Sequence, residues 1–269
     1  MLKKRVASAT VLLPLVVVVV WFNEPLPWLT IFTVIWGVMA AFEFYTAVTN
    51  SGQKPPPLTT FGLLWTLFFI ISPLFDYAYL KLILLVSTLV LPAIWFLLRR
   101  HGERAFMGWV WTIMGILYIG WLLSHFVALR ELDSGRDWVF FALFVTFASD
   151  SVAYFVGRAI GKHHLAPSIS PKKTWEGAMG GVLGAVGTGL LMVLILDLPI
   201  TYIQVIPLAT AVSIFGQFGD LLESLFKRRV GVKDSGKAMP GHGGFLDRMD
   251  SVVLAGVLVY YYAIGICVG

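Results

Sequence analysis

Long stretches with no Asp, Glu, Lys or Arg make up most of this chain. A bilayer core of about 30 Å needs roughly 20 apolar residues in a helix. Eight uncharged stretches are long enough to span it, and a ninth, 138–156, is interrupted by Asp150. The eight are 6–23, 25–42, 55–75, 82–98, 105–129, 177–196, 198–219 and 251–269. The pattern predicts an all-α polytopic membrane protein with about nine transmembrane helices.

The composition excludes three other classes of protein. Apolar residues make up 58% of the chain and charged residues 13%, whereas a soluble domain has about 25% charged residues. A soluble globular enzyme and a disordered chain are therefore excluded, and the single cysteine, Cys267, excludes a disulfide scaffold. Membrane strands are not expected either, because the apolar runs are continuous and lack the alternation of barrel strands.

The basic residues predict the orientation of the helices. If the N-terminus is cytoplasmic and nine spans alternate, 17 Lys and Arg residues lie inside, and three lie outside: Lys81, Arg130 and Arg136. This asymmetry follows the positive-inside rule and places the C-terminus outside. The first run could be a signal peptide, but Asn23-Glu24-Pro25 offers no small-residue cleavage pattern. We therefore expect an uncleaved first helix.

The chain is expected to form a single integral membrane domain, 1–269. Upstream spans occupy 1–137, and the half expected to be catalytic, 138–269, contains two long basic loops, 158–176 and 227–250. Both loops fall on the cytoplasmic side of the predicted topology.

The second loop and the helix before it carry the strongest chemical pattern. Asp220, Glu223, Ser224 and Lys227 are spaced to share one helical face that is acidic at depth and basic at the rim. Such a face suits a polyphosphate with Mg²⁺, which takes one or two carboxylates plus substrate phosphates. The turn Pro240-Gly-His-Gly-Gly lets backbone N–H groups approach phosphate oxygens, and Asp247 and Asp250 add two carboxylates.

Four further polar residues could have either a functional or a structural role. Asp150 lies inside a span, where an ionisable group is costly, so a functional role is the first hypothesis and an ion pair the alternative. Glu43, near the inner end of the second span, leaves both roles open. Lys172 and Lys173 precede Thr174, a predicted N-cap; phosphate binding at that helix end and interfacial snorkelling are the two interpretations.

Two segments resemble the phosphatidate cytidylyltransferase (CDP-diacylglycerol synthase) family. The first runs from Ser224 to Asp250 and includes Lys227-Arg228, Lys233-Asp234, Pro240-Gly-His-Gly-Gly and Asp247-Arg248-Met-Asp250. The second combines Asp150-Ser-Val-Ala-Tyr-x-x-Gly157-Arg158 with Ser170-Pro-Lys-Lys-Thr-Trp-Glu-Gly177. The resemblance is specific over roughly 149–250.

The resemblance implies transfer of a cytidylyl group from CTP to phosphatidic acid, giving CDP-diacylglycerol and pyrophosphate for phospholipid biosynthesis. It further implies Mg²⁺, with a monovalent cation left open, membrane lipids and a homodimer as partners, no nucleic acid, and a plasma (inner) membrane location with a cytoplasmic active site. The candidate metal ligands are Asp220 and Asp247. The other catalytic candidates are Lys227, Arg228, Asp250 and Asp150, and the substrate-binding candidates are Lys172, Lys173, Ser224, Lys233, His242, Gly243, Gly244 and Arg248.

Two other functions and one other metal fit the sequence less well. A secondary transporter would use its intramembrane carboxylates for ions, but such proteins tend to carry inverted repeats, and none is visible here. A CTP-using lipid or polyprenol kinase would transfer the γ-phosphoryl group instead. Zinc is disfavoured, because His163, His164 and His242 with one remote Cys do not make a four-ligand site.

Overall fold

The computed structural model describes residues 2–75, 77, 79–99, 105–236, 238 and 243–267 of the protein. It is 78% helical, which confirms the predicted all-α class. The first helices are α1 (Leu2–Trp21), α2 (Trp28–Asn50), α3 (Thr59–Ile71), α4 (Leu80–Leu98) and α5 (Ala105–Gly115). A π-helical segment, Ile116–Trp121, joins α5 to α6 (Leu122–Arg130). They are followed by α7 (Gly135–Ile160), α8 (Trp175–Ile195), α9 (Tyr202–Arg229) and α10 (Asp250–Cys267).

Six helical runs of the described residues are long and apolar enough to cross a membrane. They are Trp28–Asn50, Leu80–Leu98, Ala105–Arg130, Gly135–Ile160, Trp175–Ile195 and Tyr202–Arg229. Shorter apolar helices cover Leu12–Trp21, Thr59–Leu74 and Asp250–Ile266. The prediction of a helical membrane protein is therefore confirmed, while the number of nine spans and the orientation stay predictions.

The chain divides into two compact units, each assembled from separate parts of the sequence. The first unit contains Met1–Ala128 and Arg229–Arg248, and the second contains Leu129–Arg228 and Met249–Gly269. The predicted single domain, 1–269, with its subdivision at 137 stays a prediction. The segment Arg229–Arg248, however, belongs to the unit of the upstream helices, although the sequence analysis grouped it with the later ones.

In the first unit, α2 is fixed by a buried tyrosine. The Tyr45 hydroxyl donates to the Thr112 carbonyl oxygen of α5 at 2.8 Å, and the ring lies directly against Gly62 of α3 and Gly115 of α5. Because a larger residue at either glycine would overlap the ring, the three helices pack closely at this point. Glu43 lies two residues before Tyr45 on the same helix, α2, and is also buried.

In the second unit, α7 and α8 pack through small residues. Gly181 and Gly184 of α8 lie against Ser149 and Val152 of α7, so the two helices approach closely. The glycine-rich face of α8 thus serves a contact within this unit, as small residues commonly do in membrane helices.

Residues 164–174 form a short β-hairpin where the sequence analysis expected an irregular loop. Strand β1 (His164–Ala166) pairs antiparallel with β2 (Ser170–Thr174), and α8 starts directly after β2. The predicted N-cap is confirmed, because the Thr174 hydroxyl accepts a hydrogen bond from Gly177 N at 3.2 Å. The hairpin therefore fixes Lys172 and Lys173 immediately before the positive end of a helix.

Candidate functional site

Three carboxylates converge in the second unit. Asp220 and Glu223 are one turn apart near the end of α9, and Asp250 is the first residue of α10. One carboxylate oxygen from each of the three lies within 4.8 Å of the others. The prediction that Asp220 and Glu223 share one face of a helix is thereby confirmed. Asp250, in the first turn of α10, adds a third carboxylate.

Two lysines balance most of this negative charge. Lys173 Nζ of β2 lies 2.7 Å from Asp220 Oδ2, and Lys227 Nζ lies 2.5 Å from Glu223 Oε2, one turn along α9. The Glu223 side chain is fully buried, so its ionic partner compensates for the lost hydration. These five side chains have a formal charge of −1 when ionised, and this leaves the cluster suited to a further cation.

A fourth carboxylate is linked to the cluster through a serine. Ser251 Oγ donates to Asp150 Oδ2 at 2.7 Å, and Ser251 N donates to Asp250 Oδ1 at 2.9 Å. Asp150 of α7 is therefore hydrogen-bonded within the polar group, as expected for a carboxylate that lies in a span. Asp150 and Asp250, both predicted as catalytic candidates, are thus hydrogen-bonded to the same serine.

The β-hairpin is attached to α9 and α8 by polar contacts. Arg228 Nε donates to the Ile169 carbonyl oxygen at 3.3 Å, and Lys173 Nζ donates to the Gln217 carbonyl oxygen at 3.4 Å. At the other end, His163 Nδ1 lies 2.6 Å from Glu176 Oε1. Lys172 is exposed on β2, where it can meet a soluble anion.

A second carboxylate centre lies in the first unit. Asp247 Oδ2 accepts hydrogen bonds from Ser235 N, Ser235 Oγ and Gly244 N at 2.9, 2.9 and 2.8 Å. These bonds hold Ser235 and Gly244 against the Asp247 carboxylate. Asp247 itself lies in a 3₁₀ turn spanning Leu246–Arg248. Gly243 has a φ of +81°, a conformation that glycine adopts without strain, and this explains a glycine at that position of the turn.

The other predicted site residues are divided between the two units. Ser224 Oγ donates to Asp220 Oδ1 at 3.4 Å, so it belongs to the cluster in the second unit. Lys233 and Arg248 are exposed in the first unit. His242 lies outside the described residues, with most of its turn. The metal-ligand prediction for Asp220 and Asp247 stays a prediction, because these residues belong to different units.

Some polar residues of these two centres were not among the candidates. Glu223 was recognised on the acidic face, but its proximity to Asp250 required the fold. Ser235 and Ser251 carry no local signal, since a serine near an acidic residue is common. Each acts as a hydrogen-bond donor to carboxylates that the sequence did identify.

The donor set Asp220, Glu223 and Asp250 fits a hard divalent cation. Carboxylate oxygens are the ligands that Mg²⁺ prefers, and Mg²⁺ needs few of them when substrate phosphates complete its coordination. Within the described residues of this cluster, no thiolate or imidazole competes for the position. A soft transition metal is correspondingly disfavoured.

Together, these features define a class: a helical membrane protein with a carboxylate–lysine cluster at the ends of its apolar helices. The chain belongs to the Cytidylyltransferase family, whose profile matches residues 3–265. The resemblance inferred from the two sequence segments is thus confirmed.

Curated relatives share the name phosphatidate cytidylyltransferase. The protein of Bacillus subtilis (strain 168) is 44% identical over 149 residues, 55% of either chain. That of Staphylococcus epidermidis (strain ATCC 12228) is 39% identical over 172 residues, 64% of either chain, and that of Brucella abortus (strain 2308) is 43% identical over 153 residues, 56% of either chain. The chain therefore spans between 55% and 64% of the length of these relatives.

Proposed function

We propose that this protein transfers a cytidylyl group from CTP to phosphatidic acid, in a reaction that depends on Mg²⁺. Membership of the Cytidylyltransferase family and relatives named phosphatidate cytidylyltransferase support this reaction. The observation that carries the proposal is the group of three carboxylates with two bound lysines at one end of α9. Such a group combines cation ligands with cationic side chains, as a nucleoside triphosphate requires.

The chemistry is a substitution at phosphorus. An oxygen of the phosphatidic acid phosphate forms a bond to the α-phosphorus of CTP, and the bond from that phosphorus to the bridging oxygen of the β-phosphate breaks. The products are CDP-diacylglycerol and pyrophosphate. The nucleophile is a phosphate monoester that is already ionised near pH 7, so no side chain has to remove a proton. The protein must chiefly position the substrates and neutralise charge.

Each part of the cluster has a proposed role in that task. Asp220, Glu223 and Asp250 would hold Mg²⁺, which neutralises phosphate oxygens and favours departure of pyrophosphate. Lys173 and Lys227 stand beside these carboxylates and would exchange part of their ion pairing for phosphate contacts. Lys172 and Arg228, both exposed, would attract the triphosphate.

The roles proposed for the first unit rest on the sequence pattern. Arg248 and Lys233 are exposed cations that would bind phosphate, and the Gly243-Gly244 turn would offer backbone N–H groups. Asp247 is also proposed as a metal ligand. The three hydrogen bonds that its carboxylate accepts support a fixed position for it. His242 would contact phosphate or orient a carboxylate.

Cell location and assembly are part of the same proposal. We expect an integral protein of the plasma (inner) membrane whose active site faces the cytoplasm, because CTP is a cytoplasmic polyanion and phosphatidic acid lies in the bilayer. A homodimer and a monovalent cation beside Mg²⁺ remain hypotheses derived from the family resemblance.

The decisive experiment measures pyrophosphate release by the purified protein in detergent micelles. CTP, phosphatidic acid and Mg²⁺ are supplied together, and each is omitted in turn. We expect release only with all three, and loss of release in Asp247→Asn and Asp250→Asn. Asp133→Asn, at an exposed turn residue, serves as the matched control and should keep full activity.

Other products would contradict the proposal in distinguishable ways. CDP together with a phosphorylated lipid would identify a kinase that transfers the γ-phosphoryl group. Absence of turnover with every combination, in protein that remains monodisperse, would instead favour a transport role for the intramembrane Asp150.

A further inference from the structure

Glu43 of α2 receives hydrogen bonds from a segment that lies about 200 residues later in the chain. Its side chain is buried, with 8% of the residue exposed. Glu43 Oε2 accepts from Leu246 N at 3.1 Å and lies 3.2 Å from Ser235 Oγ, whose single hydroxyl hydrogen it shares with Asp247. These donors stand at the two ends of the segment 235–246, so one carboxylate holds both ends.

The backbone of this segment approaches Glu43 directly. A Cβ placed on Gly236 or on Gly244 would overlap the Glu43 carboxyl group. Glycine at both positions therefore lets the main chain close over the carboxylate. The buried Glu43 carboxylate accepts a hydrogen bond from the Leu246 backbone N–H, which would otherwise be buried without a partner.

Ser235 connects Glu43 to the carboxylate of Asp247. Its hydroxyl oxygen lies 3.2 Å from Glu43 Oε2 and 2.9 Å from Asp247 Oδ2. A second contact supports the same face of α2: Trp36, two turns before Glu43, donates Nε1 to the Phe245 carbonyl oxygen at 3.1 Å. The position of Asp247 thus depends on a helix from the opposite end of the sequence.

We infer that Glu43 is a positioning residue for the proposed cytidylyl transfer, acting through Ser235 and Leu246. It fixes Ser235 and Leu246, and these fix Asp247. This inference rests on the proposed function for its effect on turnover, while its structural part can be tested without turnover.

The kinetic test compares Glu43→Ala with Glu43→Gln. The alanine variant loses the acceptor, and we expect kcat to fall about 10- to 100-fold, with a smaller change in KM for CTP. The glutamine variant keeps a side-chain oxygen at the same reach, and we expect it to retain kcat within about threefold. Glu131→Ala, at an exposed residue of a turn, is the matched control and should behave as the unmodified protein.

The structural test is limited trypsin digestion in detergent, with fragments assigned by mass. Cleavage after the exposed Lys233 requires the nearby Ser235 to leave its hydrogen-bond acceptors, so its rate reports how often that contact opens. We expect Glu43→Ala to raise this rate about tenfold and Glu43→Gln to change it little. Cleavage after Lys162, exposed in the second unit, should stay constant in every variant.

The outcomes separate the inference from the proposed function. Normal kcat and unchanged cleavage in Glu43→Ala would overturn the inference, and so would a glutamine variant as impaired as the alanine variant. If no protein releases pyrophosphate, the proposed function fails, but the digestion still decides whether Glu43 fixes Ser235. Should Glu43→Ala not fold, Trp36→Phe removes only the Nε1 donor, and faster cleavage after Lys233 is again expected.

Discussion

Asp220 joins the acidic cluster to the β-hairpin, because its Oδ2 atom lies 2.7 Å from Lys173 Nζ. Asp220→Asn keeps the shape of the side chain and removes its charge. We predict that kcat falls about 10²- to 10³-fold, as is usual when one preorganised electrostatic contact is removed. The Mg²⁺ concentration needed for half-maximal activity should rise, since one anionic ligand is lost. Both quantities follow from pyrophosphate release measured across a Mg²⁺ titration.

A matched control makes the Asp220 result specific. Asp133→Asn changes the same functional group at an exposed turn position and should leave both quantities unchanged. If Asp220→Asn kept kcat within about threefold and needed no additional Mg²⁺, Asp220 would not be a ligand in the reaction.

Sequence spacing along one helix predicted which side chains share a face. It did not predict contacts between segments that are distant in the chain. The positions of Asp220, Glu223 and Lys227 predicted a shared face because a helix repeats every 3.6 residues. Asp150 drew attention because an ionisable group in a span is costly. No spacing rule joins Glu43 to Ser235, so that contact became visible only in the fold.

The close packing of α8 on α7 predicts which glycines of α8 tolerate substitution. A Cβ on Gly184 would lie 2.8 Å from Val152 Cβ of α7, whereas nothing lies within 4 Å of a Cβ on Gly187. We predict that Gly184→Ala destabilises the protein by about 1–3 kcal/mol, because Cβ of Val152 cannot rotate away. Gly187→Ala, three residues later on α8, should be neutral or slightly stabilising.

Thermal unfolding in a single detergent measures both glycine variants under the same conditions. The pair shares helix, chemistry and membrane depth, so the difference between the two reports the close approach of α7 and α8. Equal stability of Gly184→Ala and Gly187→Ala would show that the two helices are not packed through Gly184.

The ion pair within α9 gives a second prediction for an element. Lys227→Met removes the ammonium group 2.5 Å from the fully buried Glu223 carboxylate. We predict a loss of about 3 kcal/mol in unfolding free energy, since breaking a buried pair from one side strands a charge. Adding Glu223→Gln should restore most of that stability, although not activity. A double variant as unstable as Lys227→Met alone would contradict the ion-pair explanation.

The helices were easier to predict than the hairpin for a physical reason. Continuous apolar runs of about 20 residues have few alternatives to a membrane helix. Strand β1 has three residues and β2 has five, and their burial patterns do not alternate, so neither shows the pattern that marks a strand. The N-cap at Thr174 was nevertheless predictable, because a cap depends on residues next to each other in sequence.

At the scale of the whole molecule, chain order and compact units do not coincide. The segment Arg229–Arg248 follows α9 of the second unit but belongs to the unit formed by Met1–Ala128. Hydrophobic runs cannot reveal such an assignment, because it depends on hydrogen bonds such as those from Ser235 and Leu246 to Glu43. The upstream helices, which carry no family signature of their own, therefore support a segment that does.

The charge asymmetry of the loops predicts the orientation of the protein in the membrane. With a cytoplasmic N-terminus, the exposed residue Asp133 lies outside and the exposed residue Lys162 lies inside. In a Cys267→Ser background, Asp133→Cys should react with a membrane-impermeant maleimide in intact cells. Lys162→Cys should react only after the membrane is opened, or in inverted vesicles.

These two cysteines stand at either end of α7, so they control for each other. Labelling of both in detergent would show that each thiol is reactive when accessible. The reverse pattern in cells would place the β-hairpin, with Lys172 and Lys173, on the side that CTP does not reach. Because the proposed reaction draws CTP from the cytoplasm, that result would contradict the predicted orientation and the proposed function together.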